Sequence, residues 1–236
     1  MFGADLADVY ELVYRSRGKN WEAEATTTAA LIRERLPHAG SLLDVACGTG
    51  AHLETFRELF AHVEGVEIAR PMLERALRRL PGVELHQCDM RDFELGRRFD
   101  AVVCMFTAIG YLPDVAGLRA AVSAMARHLV PGGVLVVEPW WFPERFLDNY
   151  VAGDLASDGN RTVARVSHST RQGRSTRMDV RFTVGDPTGI TQFTEIDVLA
   201  LFTLDEYLAA FDDAGCDAAH VPAPWTERGL FVARRR

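Results

Sequence analysis

No apolar run in the 236 residues approaches the ~20 needed to span a membrane as a helix, so no transmembrane helix is expected. The first residues, Met1 to Asp5, offer neither a basic segment nor an apolar core, and no secretory signal is expected. Cysteine is scarce. The four (Cys47, Cys88, Cys104, Cys216) show no C-x-x-C spacing, which speaks against a zinc ribbon or a disulfide scaffold and fits a reducing cytoplasm. Positive charge is in deficit: 26 Lys and Arg stand against 33 Asp and Glu, and the net charge of −7 excludes a general nucleic-acid binder. No His, Cys and carboxylate spacing suggests a metal site. The hydrophobic and charged fractions, 48% and 25%, are those of an ordinary globular chain, long enough for one main domain and an elaboration.

Most informative is Ser41-Leu-Leu-Asp-Val-Ala-Cys-Gly-Thr-Gly50. Leu42 to Val45 is a short buried-strand pattern. It enters a turn of small residues, Ala46, Gly48 and Gly50, and a helical stretch follows from about 51 to 60. Strand, glycine turn and helix together expose bare backbone N–H groups to a nucleotide-like ligand. Hydride-transfer enzymes use G-x-G-x-x-G/A. Here the third position is Leu53, which disfavours a nicotinamide dehydrogenase. Glu67, ending the next strand pattern, is placed to accept from ribose hydroxyls. The stretch resembles the first motif of S-adenosylmethionine-dependent methyltransferases, with Ala46 at the first glycine.

The rest of the chain agrees. Residues 1–40 read as a helical lid, with Tyr10 and Tyr14 four apart and so on one helical face. From 41 to 141 strands and helices alternate. Strand patterns lie at 42–45, 63–67, 83–86, 101–106 and 134–139, with helices near 51–60, 71–80 and 115–129. This is a parallel sheet with helices on both faces, binding its ligand at the carboxyl ends of the strands. Residues 142–202 break the rhythm. Strand patterns at 162–169, 177–184 and 191–202 follow one another without helices, and Met178, Val180, Phe182 and Val184 alternate with polar residues. An inserted antiparallel subdomain for substrate or dimer contacts is expected there. Its arginines, among them Arg177, suit an anionic substrate. From 203 to 236 the chain returns to the core, with a capping box at Thr203 and Glu206 and two closing strands.

Several stretches together resemble the sugar N,N-dimethyltransferases of macrolide pathways: 42–50, 86–93, 105–106, Ile109-Gly-Tyr-Leu112, Val136-Val-Glu-Pro-Trp-Trp-Phe-Pro143, Arg165-Val-Ser-His-Ser169 and Arg228-Gly-Leu-Phe231. The resemblance implies an α/β class I methyltransferase fold, Rossmann-like, with a seven-stranded sheet. S-adenosylmethionine is the implied cofactor, and Tyr14, Ala46, Gly48, Glu67, Ile68, Asp89, Met90 and Met105 the implied residues around it. The implied substrate is a dTDP-linked 3-amino-3,6-dideoxyhexose, held by Tyr10, Trp140, Ser167, Arg177 and Arg228. Phe2 stands where these enzymes tend to carry a tyrosine. A homodimer is expected, with no nucleic-acid or membrane partner.

The expected reaction is a direct displacement. The amine lone pair attacks a sulfonium methyl, and alignment supplies much of the rate. Tyr111 is the expected catalytic residue, orienting the nitrogen rather than taking a proton, because a phenol titrating near ~10 is protonated at neutral pH. Three other readings remain in view: a 4-amino sugar as acceptor, O- or C-methylation of a small molecule, and a binding domain without activity.

Overall fold

The computed structural model describes residues 3–236. Phe2, where the family tyrosine was expected, lies outside them. Two helices open the chain, α1 (Ala4–Ser16) and α2 (Trp21–Arg35). Then come β1 (Ser41–Val45), α3 (Ala51–Leu59), β2 (His62–Glu67), α4 (Arg70–Arg79), β3 (Glu84–Gln87), β4 (Phe99–Cys104), a 3-10 turn (Ala108–Tyr111), α5 (Val115–Arg127) and β5 (Leu129–Val137). The insertion holds β6 (Tyr150–Asp158), β7 (Arg161–Gln172), β8 (Ser175–Asp186) and β9 (Gly189–Ala200). The chain closes with α6 (Leu204–Asp213), β10 (Cys216–Ala223) and β11 (Thr226–Arg235).

The main sheet has seven strands in the order β10-β11-β5-β4-β1-β2-β3. β1, β2, β3, β4 and β5 pair in parallel, and β11 enters antiparallel between β5 and β10. Helices cover both faces, so the central strands are apolar without a break, as the Leu42 to Val45 run implies. Leu43 and Val45 face a core shared with Leu118, Val122 and Phe211 of α5 and α6. Leu42 faces the opposite core, with Ile32 of α2 and Phe56 of α3. Each such side chain, taken fully out of water, contributes about 1.5–3 kcal/mol. The box at α6 forms as read: Thr203 Oγ1 accepts from the Glu206 N–H at 3.2 Å, and Glu206 returns the bond at 2.9 Å.

The insertion is a four-stranded antiparallel sheet, one strand more than the patterns predict. β6 escapes notice because its apolar residues, Val151 and Leu155, point to solvent on both sides of Gly153. The inner face of this sheet packs on α1: Leu6, Val9 and Val13 meet Val163, Val180, Phe182 and Val184. α1 is also tied to α4, through Arg75 with Asp8 and through Arg79 with Glu11 at 2.7 Å. It therefore lies across the carboxyl end of β2, with Ala7 and Tyr10 against Ala69. No described helix is long and apolar enough to cross a membrane.

Candidate active site

The turn after β1 holds three residues in the left-handed region: Ala46 (φ 60°), Gly48 (φ 58°) and Gly50 (φ 77°). The two glycines serve different ends. A Cβ on Gly50 would meet Leu80 Cδ1 at 2.8 Å, so its bareness lets α3 and α4 pack. A Cβ on Gly48 would meet nothing within 4 Å, so its bareness keeps backbone open on the ligand side. Ala46 adopts the same conformation with a Cβ, at a cost of order 1–2 kcal/mol.

Two buried carboxylates flank this turn. Glu67, 5% exposed, accepts from Gly48 N–H at 2.9 Å and Ala69 N–H at 2.7 Å. Burial raises its pKa, and the backbone bonds oppose the rise. Asp44 is 1% exposed, and its Oδ2 has no hydrogen-bond partner. Burial, with the Glu67 charge beside it, pushes Asp44 well above the usual carboxylate range. Beyond Glu67, Ile68 keeps 43% of its surface exposed at the strand end. Met90 is partly buried against the core, and Met105 is buried beneath the β4 end.

Beside this cradle the aromatic rings of α1 cluster with the end of β4. The Tyr10 and Tyr14 rings lie 4.8 Å apart, and Tyr14 sits edge-on to Phe106 at 4.9 Å. Phe106 and Thr107 both take positive φ at the carboxyl end of β4 (50° and 63°). Burial raises both phenols of α1. Lys19 Nζ lies 3.6 Å over the Phe106 ring and 2.5 Å from Glu24, which also bonds His52 at 2.9 Å. Desolvation lowers the Lys19 pKa. On the insertion side, Tyr111 donates to Asp197 Oδ1 at 3.0 Å. The 3-10 turn carrying Tyr111 is wedged tight, because a Cβ on Gly110 would touch Trp140 Cβ at 2.8 Å and Leu199 at 3.2 Å. Burial and the Asp197 charge hold the Tyr111 phenol well above its ordinary value. It is a proton donor at neutral pH.

Residues 42–133 match the methyltransferase domain family. A dTDP-3-amino-3,4,6-trideoxy-alpha-D-glucopyranose N,N-dimethyltransferase of Streptomyces venezuelae is 53% identical, over 98% of either chain. A dTDP-4-amino-2,3,4,6-tetradeoxy-D-glucose N,N-dimethyltransferase of Saccharopolyspora spinosa is 51% identical, over 100% of this chain and 94% of its own. The chain belongs to the dTDP-aminosugar N,N-dimethyltransferase family. Among solved structures, DesVI of Streptomyces venezuelae superposes with a TM-score of 0.96 at 52% identity, covering 100% of both chains. An amino pentose methyltransferase from Micromonospora echinaspora, solved with S-adenosylmethionine bound, gives 0.90 at 60% identity over 97% of both chains.

The chain is an S-adenosylmethionine-dependent methyltransferase with the class I fold, and its residues fit that donor. Asp44 brings a buried oxygen without a partner, Gly48 open space at its Cα, and Glu67 a carboxylate at the end of the adjoining strand. Asp44→Asn is expected to raise the stability of the ligand-free enzyme by about 1–2 kcal/mol at pH 7. A carboxyl raised in the fold stabilises it most when protonated, below about 3.9, and that stability is lost as pH rises through the folded value. The amide removes this loss. Urea unfolding at pH 5 and pH 7.5 checks it, with a larger gain expected at pH 7.5; an equal loss at both would refute it.

Some expected partners are not assembled. Asp89 is closed into a local ring with Arg91, accepting from its backbone N–H at 2.9 Å and from its guanidinium at 2.6 Å, and this bond lowers its pKa. Ser167 and Arg177 do not converge. Ser167 pairs with Val180 on the inner face of the insertion sheet, whereas Arg177 pairs with Thr170 and Val198 on the outer face and bonds Asp179 at 2.9 Å. Ser167 instead accepts from buried Arg165 at 3.0 Å. Arg228 turns inward, giving Nη2 to Glu138 at 2.8 Å and Nε to the Pro139 carbonyl at 3.1 Å, its guanidinium 5.7 Å from the Trp140 ring. Away from the site, His62, His86 and Arg97 converge on buried Glu64, whose oxygen lies with donors of Glu84 and His86 inside 4.8 Å.

Sequence reasoning missed Lys19, Glu24, His52, Glu138 and Asp197. One signal was available for Lys19: it is the only lysine beside 25 arginines. Asp197 carries no such mark. Only the β8–β9 register, opposite Met178, turns it toward α1.

Proposed function

We propose that this enzyme transfers methyl groups from S-adenosylmethionine to the amine of a dTDP-linked deoxyaminosugar, taking the 3-amino-3,6-dideoxyhexose to its N,N-dimethyl form. The reading rests on one juxtaposition. The Asp44–Gly48–Glu67 cradle lies beside the cluster of Tyr10, Tyr14, Phe106 and Tyr111: Tyr10 feels the Glu67 charge, its ring lies against Tyr14, and Phe106 stands at the carboxyl end of β4. The relatives named for amino groups at C3 and C4 fit this chemistry. In this reading α1 is the lid, Trp140 walls the sugar, and Tyr111 orients the nitrogen. Ile68 and Met90 flank the adenine.

S-adenosylmethionine supplies an electrophilic methyl on a sulfonium. The protein aligns an amine with it and excludes water. Turnover of dTDP-3-amino-3,6-dideoxyglucose read by mass tests the proposal. A gain of two methyl groups is expected. No gain on that sugar, with gain on a 4-amino sugar or an amino pentose, would move the acceptor to those; the 60%-identical amino pentose methyltransferase gives that second reading its weight. Gain on none of them would sink the aminosugar reading.

We also infer a cytoplasmic homodimer. Val151, Leu155, Val166, Ile196 and Val198 are 46–71% exposed and all lie on the outer face of the insertion sheet, away from α1. Exposed apolar side chains gathered on one sheet face, here flanking Arg177, Asp179 and Arg181 of β8, mark an interaction surface. The four thiols are free and three are buried, in keeping with a reducing compartment. Sedimentation is expected to give twice the chain mass, and Val166→Glu with Ile196→Lys to give the monomer. A monomeric wild type at micromolar concentration would discard this.

A further inference from the structure

Asp197 has no role in the functional reading so far, yet it is the carboxylate of the insertion sheet that bonds Tyr111 in the aromatic cluster. It stands on β9 opposite Met178, on the face turned toward α1. Its Oδ1 accepts from the Tyr111 hydroxyl at 3.0 Å. The 3-10 turn that presents Tyr111 is fixed by the tight Gly110–Trp140 and Gly110–Leu199 approaches, so the pair is built into the fold. The Asp197 charge is felt by Tyr10, Tyr14 and Tyr111 alike. Among the described residues, the charged groups that act on it are few: Arg165 from β7 favours its ionised form, and Glu195, two residues before it on the same face, faces the same way. Burial raises the Asp197 pKa, and the Tyr111 bond counters that rise.

The substrate presents a chemical difficulty that this geometry answers. A sugar amine arrives largely as an ammonium ion at neutral pH, and an ammonium has no lone pair to attack a methyl group. A carboxylate at the aromatic cluster binds the cation and can take its proton. Tyr111, held protonated, cannot.

We propose that Asp197 is the receptor for the substrate's ammonium group and the acceptor of its proton, with Tyr111 as the residue that positions it. This rests on the aminosugar reading above. A proton passes from the ammonium nitrogen to the Asp197 carboxylate through the oxygen that Tyr111 does not hold. The freed lone pair forms the N–C bond as the C–S bond breaks, and that electron pair stays on sulfur. The Asp197 carboxyl then gives its proton to solvent, and its carboxylate takes the next proton from the methylammonium to begin a second turn. A carboxylate here also explains selectivity, because a hydroxyl acceptor would bring no positive charge to it.

The test is the pH profile of kcat/KM for wild type and Asp197→Asn on the dTDP-aminosugar. In the wild type, carboxylate and ammonium together are the reactive pair, so the profile is flat through neutrality. In Asp197→Asn only substrate that is already neutral reacts. The rate is expected to fall about 100-fold at pH 7 and to climb about tenfold per pH unit until the amine's own pKa. Calorimetry supplies a second readout. The wild type binds the aminosugar nucleotide about tenfold more tightly than its hydroxy analogue, and Asp197→Asn binds the two alike. S-adenosylmethionine affinity, unchanged in the variant, shows that it is folded.

If Asp197→Asn fails that check, Tyr111→Phe replaces it. Loss of the Tyr111 bond raises the Asp197 pKa, so the acid limb moves to higher pH while the plateau survives. A wild-type-shaped profile lowered by one factor at every pH, or no preference of the wild type for amine over hydroxyl, overturns the proposal. A wild type that methylates no aminosugar overturns the functional reading instead, and the two failures are distinct.

Discussion

Glu138→Ala is expected to lower the stability of the enzyme by about 3–5 kcal/mol, the largest loss of any single substitution considered for it. Glu138 is 0% exposed at the end of β5. One oxygen accepts from Arg228 Nη2 and the other from the Phe106 N–H, each at 2.8 Å. Removing the carboxylate leaves a nearly buried guanidinium without its counter-charge, which costs far more than the pair contributes net. It also releases Phe106, whose φ of 50° is held by that bond at the point where β4 meets the aromatic cluster. Activity should therefore fall further than the folded fraction alone accounts for. Urea unfolding would show a lower midpoint at unchanged slope, and kcat measured where both proteins are fully folded would still be reduced. A loss under 1 kcal/mol with normal kcat would show that the pair is dispensable.

The second large effect falls on the donor. Glu67→Ala is expected to weaken S-adenosylmethionine binding about 100-fold, the sum of two hydrogen bonds to a charged acceptor at about 1.5 kcal/mol each. It also strands the N–H groups of Gly48 and Ala69, so the ligand-free protein loses about 2 kcal/mol. Glu67→Gln separates the two effects: the amide oxygen keeps one backbone bond, and the charge is gone. Calorimetric titration with S-adenosylmethionine measures the affinity, and thermal unfolding without ligand measures the stability. An affinity within threefold of wild type would remove Glu67 from the donor site.

Much of the architecture was legible because it rests on short-range pattern. The Leu42–Val45 run and the glycine turn after it can only be a buried strand feeding a helix. The alternation of Met178, Val180, Phe182 and Val184 specifies a half-buried strand whatever its partners are. The Thr203–Glu206 box forms between neighbours in sequence. β6 was not legible, since Val151 and Leu155 face outward and Gly153 interrupts them. Their burial, if any, depends on another surface and leaves no periodic mark.

The polar site divides in the same way. The sequence alone determined the grouping of Asp44, Gly48 and Glu67, because they belong to one strand–turn–helix–strand unit whose two strands pair in parallel. The acceptor side was decided by tertiary structure. Arg177 is neutralised by its own strand neighbour Asp179, but the neutralisation of Arg228 by Glu138 depends on a partner 90 residues away. The meeting of Asp197 with Tyr111 spans 86 residues and exists only because the insertion sheet folds back over α1. Local pattern fixes what a segment's own backbone requires; charge pairing between distant segments is set by register and packing, which no window of sequence contains.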